Sequence, residues 1–196
     1  MKVSSTTLYG TAWSGGTAGR GTVFKLNTDG TGFAVLHHFG TTTNNDRGHD
    51  CNPDGAWIES GLVLSGGVLY GAAAQGGVAG NGTVFKLSTN GTGFALLHRF
   101  SAHGGSYPDN TNQDGENPTS LVLSGRALYG VASNNGRRYG GTVFRVDERE
   151  EDEPRMNSDA RTKTAAGASA ILWAAVLRLP CQSVSTSWIP KRGLQH

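Results

Sequence analysis

One six-residue phrase occurs three times in this chain and constrains its fold more than any other feature. GTVFKL stands at 21–26 and 82–87, and GTVFRV stands at 141–146. The tripeptide LYG recurs with the same two spacings, 61 and then 59 residues, at 8–10, 69–71 and 128–130. Whole structural units are therefore repeated, and such units bury their apolar faces by stacking on their neighbours.

Each unit divides into four short β-strands separated by turn residues. In the second unit, strands are predicted at 62–65 and 68–72 around the dipeptide GG, which suits a two-residue hairpin turn. A Gly-rich loop, a strand at 83–87 and an Asn-Gly turn lead into a last strand at 94–100. Period-two alternation predicts that this last strand turns four side chains to one face, namely Phe94, Leu96, His98 and Phe100.

Repeated four-stranded antiparallel meanders predict an all-β, β-propeller-like array over residues 1–146. The units are about 1–46, 58–106 and 119–146, and the third is incomplete because it has no counterpart of GTGFALLHRF. An open β-solenoid and a sandwich with duplicated hairpins are the alternative architectures. A closed propeller needs roughly four to eight blades. The chain is therefore predicted to be a fragment of a longer propeller, or to require further repeat units or a second copy to complete a ring.

The composition changes at residue 147. Of the 30 glycines, 28 precede that position. Residues 147–196 form a non-repeat tail, interpreted as a charged linker followed by a short helix, or as the product of a shifted reading frame. We favour the shifted frame, because a missing fourth strand would leave an exposed sheet edge. The apolar run at 165–177 is shorter than the roughly 20 residues of a membrane span, so no span is predicted.

Composition and motifs exclude several function classes. Residues 1–146 carry ten Lys or Arg against eight Asp or Glu, without the clustered basic face that nucleic-acid binding requires. Cys51 and Cys181 are predicted to be unrelated thiols. No apolar signal segment follows Met1. The chain also contains no G-x-S-x-G elbow, P-loop or H-E-x-x-H motif.

The second unit, DGAWIESGLVLSGGVLYGAAAQGGVAGNGTVFKLSTNGTGFALLHRF, resembles the Gloeo-Verruco (GloVer) tandem repeat of bacterial proteins. The shared phrases are D-G-x-x-P-x-x-G-L-V-L-S-G, L-Y-G-T, G-T-V-F-K-L and G-T-G-F, and they extend over residues 1–146. The resemblance implies an exported or cell-surface repeat protein that folds as a propeller, with no established activity and no catalytic residues. The first linker departs from the pattern at Ile58, where the family favours Pro, whereas the second linker has Pro118.

The linkers between units hold the polar candidates for ligand binding. DCNPDG at 50–55 and NTNQDG at 110–115 fit the opening half of a calcium loop, in which alternate oxygen ligands converge on one ion. The closing bidentate Glu is missing, and Asn, Asp and Gly also form ordinary turns. Calcium is thus the one candidate cofactor, with these candidate ligands: Asp50, Asn52, Asp54, Asn110, Asn112 and Asp114.

Histidines and tryptophans provide further candidates. His37 and His98 occupy equivalent strand positions and could act as ligands or bases, although no carboxylate lies beside them in sequence, which favours a structural role. His49, next to Asp50 and Cys51, is a weak metal-ligand candidate. Trp13 and Trp57 lie in loops, where aromatic rings either stack on sugars or pack the loop base.

Two functions are consistent with these features. The first is a non-enzymatic extracellular or cell-surface module whose loops bind a glycan, a protein or a surface. The second is a propeller-type hydrolase or lyase that uses a metal with His or Asp residues from several blades. We favour binding, because few charged residues are placed to converge. No catalytic or cofactor-binding residue is assigned.

Overall fold

The described part of the chain is built from strands. A computed structural model describes residues 1–45, 48–104, 112–136 and 140–148, and no helix occurs among them, so none of them provides an apolar membrane-crossing helix. The strands are β1 Lys2–Ser4, β2 Thr7–Ala12, β3 Thr22–Asn27, β4 Ala34–His38, β5 Thr43–Asn44, β6 Asp50–Ala56, β7 Val63–Ser65, β8 Val68–Ala73, β9 Gln75–Gly77, β10 Thr83–Ser88, β11 Ala95–Arg99, β12 Glu116–Ser124, β13 Ala127–Asn134 and β14 Thr142–Asp147.

These strands form four antiparallel sheets. The first sheet is β1-β2-β3-β4, a meander of sequence neighbours, and the second is β7-β8-β10-β11, in which β9 lies between β8 and β10 in the chain. The third sheet, β12-β13-β14, has three strands within the described residues. A small linker sheet, β5-β6-β9, joins the first linker to the Gly-rich loop of the second unit. The all-β prediction is confirmed, and the first two units form four-stranded sheets as predicted. Incompleteness of the third unit stays a prediction, because the residues after 148 lie outside the described residues.

The GG hairpin shows how local sequence sets the register. Gly66 and Gly67 have φ values of 55° and 80°, a conformation that residues with a Cβ rarely adopt. The turn therefore twists in the same sense as β7 and β8, which pair from Ser65 opposite Val68. The predicted strands of this hairpin are confirmed to within one residue.

The core lies between successive sheets. One apolar cluster joins the first and second sheets, and its buried members are Tyr9, Val23, Phe39, Ile58, Leu62, Leu69, Ala73, Phe85 and Leu87. A second cluster joins the second and third sheets, with Tyr70, Ala72, Val84, Phe100, Leu128, Ala132, Phe144 and Val146 buried. The second sheet thus buries both of its faces, and each core is shared by two units.

Strict alternation along the fourth strand was wrong. A β-bulge interrupts the pairing of β10 with β11 between Val84 and Phe85. As a result Phe100 packs in the second cluster together with Leu97, whereas Phe94 and Leu96 pack in the first. The bulge inserts one unpaired residue and so reverses the side on which the following residues point. The same bulge occurs in the first sheet, between Val23 and Phe24.

A close contact between the linker and the sheet explains why the first residue of GTVF is glycine. Gly82 has a φ of 108°, and a Cβ there would lie 2.5 Å from Pro118 Cδ and 2.7 Å from the carbonyl oxygen of Ala73. Gly21 meets Ile58 in the same way. The linker backbone is fixed at this point, because the amide of Asn117 donates to the carbonyl of Asn81 over 3.1 Å.

We expect Gly82→Ala to lower the free energy of unfolding by about 2–5 kcal/mol, because the added methyl is strained by the positive φ and collides with Pro118. Gly61→Ala is the matched control, since no atom lies within 4 Å of a Cβ built there. Urea denaturation of both variants provides the measurement. Equal stability of the two would contradict the close contact.

Residues 149–196 lie outside the described residues, and so do the charged linker, the short helix and Cys181 that were assigned to them. Cys51 is buried in the linker sheet. The unit boundaries and the reading-frame hypothesis stay predictions.

Candidate functional site

Both linkers contain the same polar loop, formed by the sequence N-x-D-G. The Asn52 side chain brackets Gly55: its amide nitrogen donates to the Gly55 carbonyl over 2.6 Å, and its oxygen accepts from the Gly55 amide over 2.7 Å. Asn112 makes the equivalent bonds with Gly115 over 2.8 Å and 2.6 Å. The loop is therefore closed by its own side chain in both linkers.

The Asp of this loop binds the last strand of the preceding sheet. Asp54 Oδ2 accepts from the Gly40 amide over 3.0 Å and lies 3.2 Å from His37 Nε2. Asp114 Oδ2 accepts from the Ser101 amide over 3.0 Å and lies 3.0 Å from His98 Nε2. Each strand histidine thus has a carboxylate partner in space, although none is adjacent in sequence.

The six candidate calcium ligands do not act as one set. In the described residues, Asn52, Asp54, Asn112 and Asp114 close and anchor the two loops through the bonds above. Asp50 has other partners, namely Arg20 at 3.0 Å, the Thr42 hydroxyl at 2.7 Å and the Trp57 indole. Asn110 lies outside the described residues. No cluster of three or more His, Cys, Asp or Glu placed for a metal occurs within the described ranges. Calcium binding stays a prediction.

The side chain of His49 lies near groups from distant parts of the sequence. Its Nδ1 is 3.2 Å from the Asn81 side-chain oxygen and 4.0 Å from Glu116 Oε2, while the same carboxylate oxygen lies 3.2 Å from His103 Nε2. Cys51 contacts His49 through the backbone carbonyl at 3.8 Å. The side chains of His49 and Asp50 therefore contact different groups, and metal binding by His49 stays a prediction.

Two tryptophans and an arginine form a stack at the first linker. The rings of Trp13 and Trp57 are 4.3 Å apart with an interplanar angle of 30°. The Arg20 guanidinium lies 4.8 Å from the centre of the Trp57 ring, within cation–π distance. Asp50 binds both Arg20 and the Trp57 indole nitrogen, so one buried carboxylate fixes two members of the stack.

Trp57 adopts a backbone conformation that is unusual for a bulky residue. Its φ is 57°, which costs on the order of 1–3 kcal/mol for a side chain of this kind. Its amide donates to the Arg20 carbonyl, and its carbonyl accepts from the Ala74 amide, both over 3.0 Å. Asn117 holds the equivalent place in the second linker with a φ of 54°. The linker geometry therefore imposes the strain, and Asn tolerates it better than Trp does.

The tryptophans open onto a cleft of about 540 Å³, which we call the aromatic pocket. The side chain of Trp13 is 52% exposed there. All three units contribute to the walls, with Trp13, Gly48, Asp50, Trp57, Glu59, Ala74, Gln75, Asn117, Ser133 and Asn134. Trp13 and Ala74 directly follow strands β2 and β8, and Ser133 holds the equivalent position near the end of β13. The pocket thus gathers equivalent positions that differ in chemistry.

Hydrogen bonding sets the acid sensitivity of the second loop. Partial burial alone would raise the pKa of Asp114, but bonds from the Ser101 hydroxyl, the Ser101 amide and His98 outweigh it and hold the pKa below its usual value of 3.8. Asp114 therefore contributes stability that is complete above pH 3.8 and is lost as the pH falls through the lower folded-state pKa.

We predict that Asp114→Asn destabilises the protein at pH 7, and that the difference from the wild type shrinks as the pH falls below 3.8. Urea unfolding at pH 7 and in steps below pH 4 provides the measurement. Glu59→Gln, which changes an exposed carboxylate, is the control and should leave the free energy of unfolding unchanged both at pH 7 and below pH 4. A pH-independent difference for Asp114→Asn would contradict the assignment.

Comparison with known proteins agrees with the internal repeat. The family model of the Gloeobacter/Verrucomicrobia repeat matches residues 1–112, more than half of the chain. None of the curated proteins is a significant match. The resemblance of the repeated phrases is thereby confirmed, and the chain belongs to the Gloeobacter/Verrucomicrobia repeat family.

Proposed function

We propose that this protein is a non-enzymatic binding module that recognises carbohydrate at the aromatic pocket. The observation that carries the proposal is the half-exposed ring of Trp13, held against Trp57 at the edge of a polar cleft. A protein or a surface rich in carbohydrate would present the same chemistry to the pocket.

A sugar ring suits this arrangement of groups. Its C–H face is apolar and packs on an aromatic ring, while its hydroxyls need donors and acceptors around the rim. The pocket provides the ring of Trp13 together with the side chains of Glu59, Gln75 and Asn134. Because Asp50 and Arg20 hold Trp57 in place, this platform is ordered before a ligand arrives, which lowers the entropic cost of binding.

The carboxylates of the pocket favour binding over hydrolysis. Glycosidases usually need two carboxyl groups that flank the scissile bond. Asp50 and Glu59 are the acidic residues of the pocket wall. Asp50 already accepts bonds from Arg20, Thr42 and Trp57, so it is committed to holding the stack. The alternative, a metal-dependent hydrolase or lyase, would require further groups to converge on the pocket.

The proposal includes the scaffold and its location. The sheets stack as blades of a β-propeller at the cell surface or outside the cell, and the linkers present the pocket. Two successive face-to-face packings support the propeller, because both use equivalent residues. The family resemblance supports this location, and detection of the protein in the culture medium or on the cell surface would test it.

We expect Trp13→Ala to weaken binding to soluble xylan, mannan or β-glucan by at least about tenfold, because an exposed aromatic anchor contributes a large share of such contacts. Titration calorimetry of the full chain against each polysaccharide provides the measurement, and released reducing sugar is assayed in the same samples. Phe33→Ala removes another exposed ring, outside the pocket, and is the matched control.

Three results would contradict the proposal. They are the absence of saturable binding to any polysaccharide, equal losses in Trp13→Ala and Phe33→Ala, and release of reducing sugar by the wild type. The last result would favour the hydrolase alternative.

The outer face of the third sheet indicates how a ring could be completed. Val143 is 76% exposed, whereas the equivalent Val23 and Val84 are fully buried beneath the next sheet. Tyr129 and Val131 of the same face are also exposed. We propose that the first sheet of a second copy covers this face, and that two three-unit chains close a ring of six.

We expect the full chain to have twice the monomer mass by light scattering, and Val143→Asp to restore the monomer, because a buried carboxylate would oppose the contact. Val78→Asp, at an exposed position away from this face, is the control. A monomeric wild type, or an unchanged mass for Val143→Asp, would contradict closure by a second copy.

A further inference from the structure

A second groove lies between the second and third sheets, beside strand β14. It has a volume of about 600 Å³, and we call it the strand groove. Its walls come from strands β10 and β11 on one side and from β14 on the other, with Lys86, Ala95, Leu96, Leu97, His98, Arg145, Val146 and Asp147 as lining residues.

The internal repeat shows what fills this place one unit earlier. The counterparts of His98 and Leu97 are His37 and Leu36, which lie on the fourth strand of the first sheet. There, the ring of Phe94 stacks on His37 with a centroid distance of 3.9 Å and an interplanar angle of 3°. Phe94 and Leu96 also pack in the same cluster as Leu36. The occupant is therefore the fourth strand of the next unit, β11 together with the Phe that precedes it.

Strand β14 has the backbone edge that such a strand would need. Strands β3 and β10 each pair with a neighbour on both sides, whereas β14 pairs with β13 on one side within the described residues. In the first two units, the Val of GTVF pairs with a histidine of the fourth strand: Val23 with His37, and Val84 with His98. Val143 would take the equivalent partner from a fourth strand.

His98 is correspondingly more open than its counterpart. Its side chain is 34% exposed and bonded to Asp114, while that of His37 is 19% exposed and bonded to Asp54. The two pairs have the same geometry, so the linker holds the His98 ring in the position that receives a phenyl ring in the preceding unit. The groove thus combines a strand edge that no described residue pairs with, apolar walls and a preset stacking surface.

We propose that the strand groove binds an extended segment with the sequence of the repeat's own fourth strand, supplied by another repeat-bearing chain. The segment adds to the third sheet antiparallel to β14, in the manner of β-strand addition. Its Phe stacks on His98, and its Leu two residues later packs on Leu97. Continuity with the packing of the first two units argues for this occupant, since the walls at both places come from equivalent residues.

A peptide copy of residues 91–100, GTGFALLHRF, provides the test with the full chain. We expect saturable binding with one peptide per chain, measured by fluorescence anisotropy of the labelled peptide. The peptide GTGAAALHRF, in which the Phe and the first Leu are replaced by Ala, should bind at least about tenfold more weakly, because it lacks both groups that enter the groove. Changing the peptide leaves the fold of the protein untouched.

Two further measurements locate the peptide. Hydrogen exchange should show slower exchange of the amides of 142–147 on peptide addition, with no change at Trp13. The His98→Ala variant should bind the peptide at least about tenfold more weakly, while Trp13→Ala should bind it normally, which separates this site from the aromatic pocket. Absence of saturable binding, equal binding of the two peptides, or unprotected amides in 142–147 would overturn the proposal. These three outcomes are measured on the wild-type chain, so they decide the proposal even if His98→Ala fails to fold.

Discussion

The structure depends on one constraint, which is that the second sheet has two apolar faces and a neighbouring sheet covers each of them. In the second sheet, Phe85 and Leu87 point toward the first sheet, while Val84 and Tyr70 point toward the third. A single meander would leave both of these faces in water, at a cost of roughly 25 cal/mol for each Å² of apolar surface. Stacking is thus a condition for folding, and the repeat of sequence is a repeat of this packing.

The linkers make the stacking specific. Each linker contains a loop that is closed by hydrogen bonds between Asn and Gly. An Asp of this loop binds the histidine on the last strand of the preceding sheet. The linker then packs Ile58 or Pro118 against the first glycine of GTVF in that sheet. Polar groups fix the direction in which the chain leaves, and the apolar contact fixes the distance. Tyr70 adds a bond between units, since its hydroxyl donates to Glu148 over 2.7 Å; burial first, and then this carboxylate, raise the pKa of Tyr70 to about 12.

The sequence was sufficient for the strands and turns of each unit, because alternation and the GG and Asn-Gly turns are local signals. The sequence was insufficient where the pairing between strands determines which way a side chain points or whether a segment forms a strand. The bulge opposite Val84 and Phe85 moves Phe100 to the other side of the sheet from Phe94 and Leu96, and no residue type marks it. Strand β6 was interpreted as a loop because Asp, Asn, Pro and Gly disfavour strands, yet it pairs with β5 and β9. His37 and Asp54, which bind each other, are 17 residues apart in sequence. The one signal for this pair is that both linkers place an Asp at nearly the same distance after a strand histidine.

Comparison of the units with one another separates invariant packing positions from the variable positions of the aromatic pocket. The glycine and valine of GTVF are identical in all three units. Gly21 and Gly82 lie against the linker, and Val23 and Val84 are buried, so substitution there would disturb the stack. The pocket positions vary instead, from Trp13 to Ala74 and Ser133, and from Trp57 to Asn117. Asn suits the left-handed backbone of this linker, whereas Trp is strained in it. At the strained position of the first linker, Trp57 stacks on Trp13 and lies within cation–π distance of Arg20, and these contacts offset the cost of its backbone conformation.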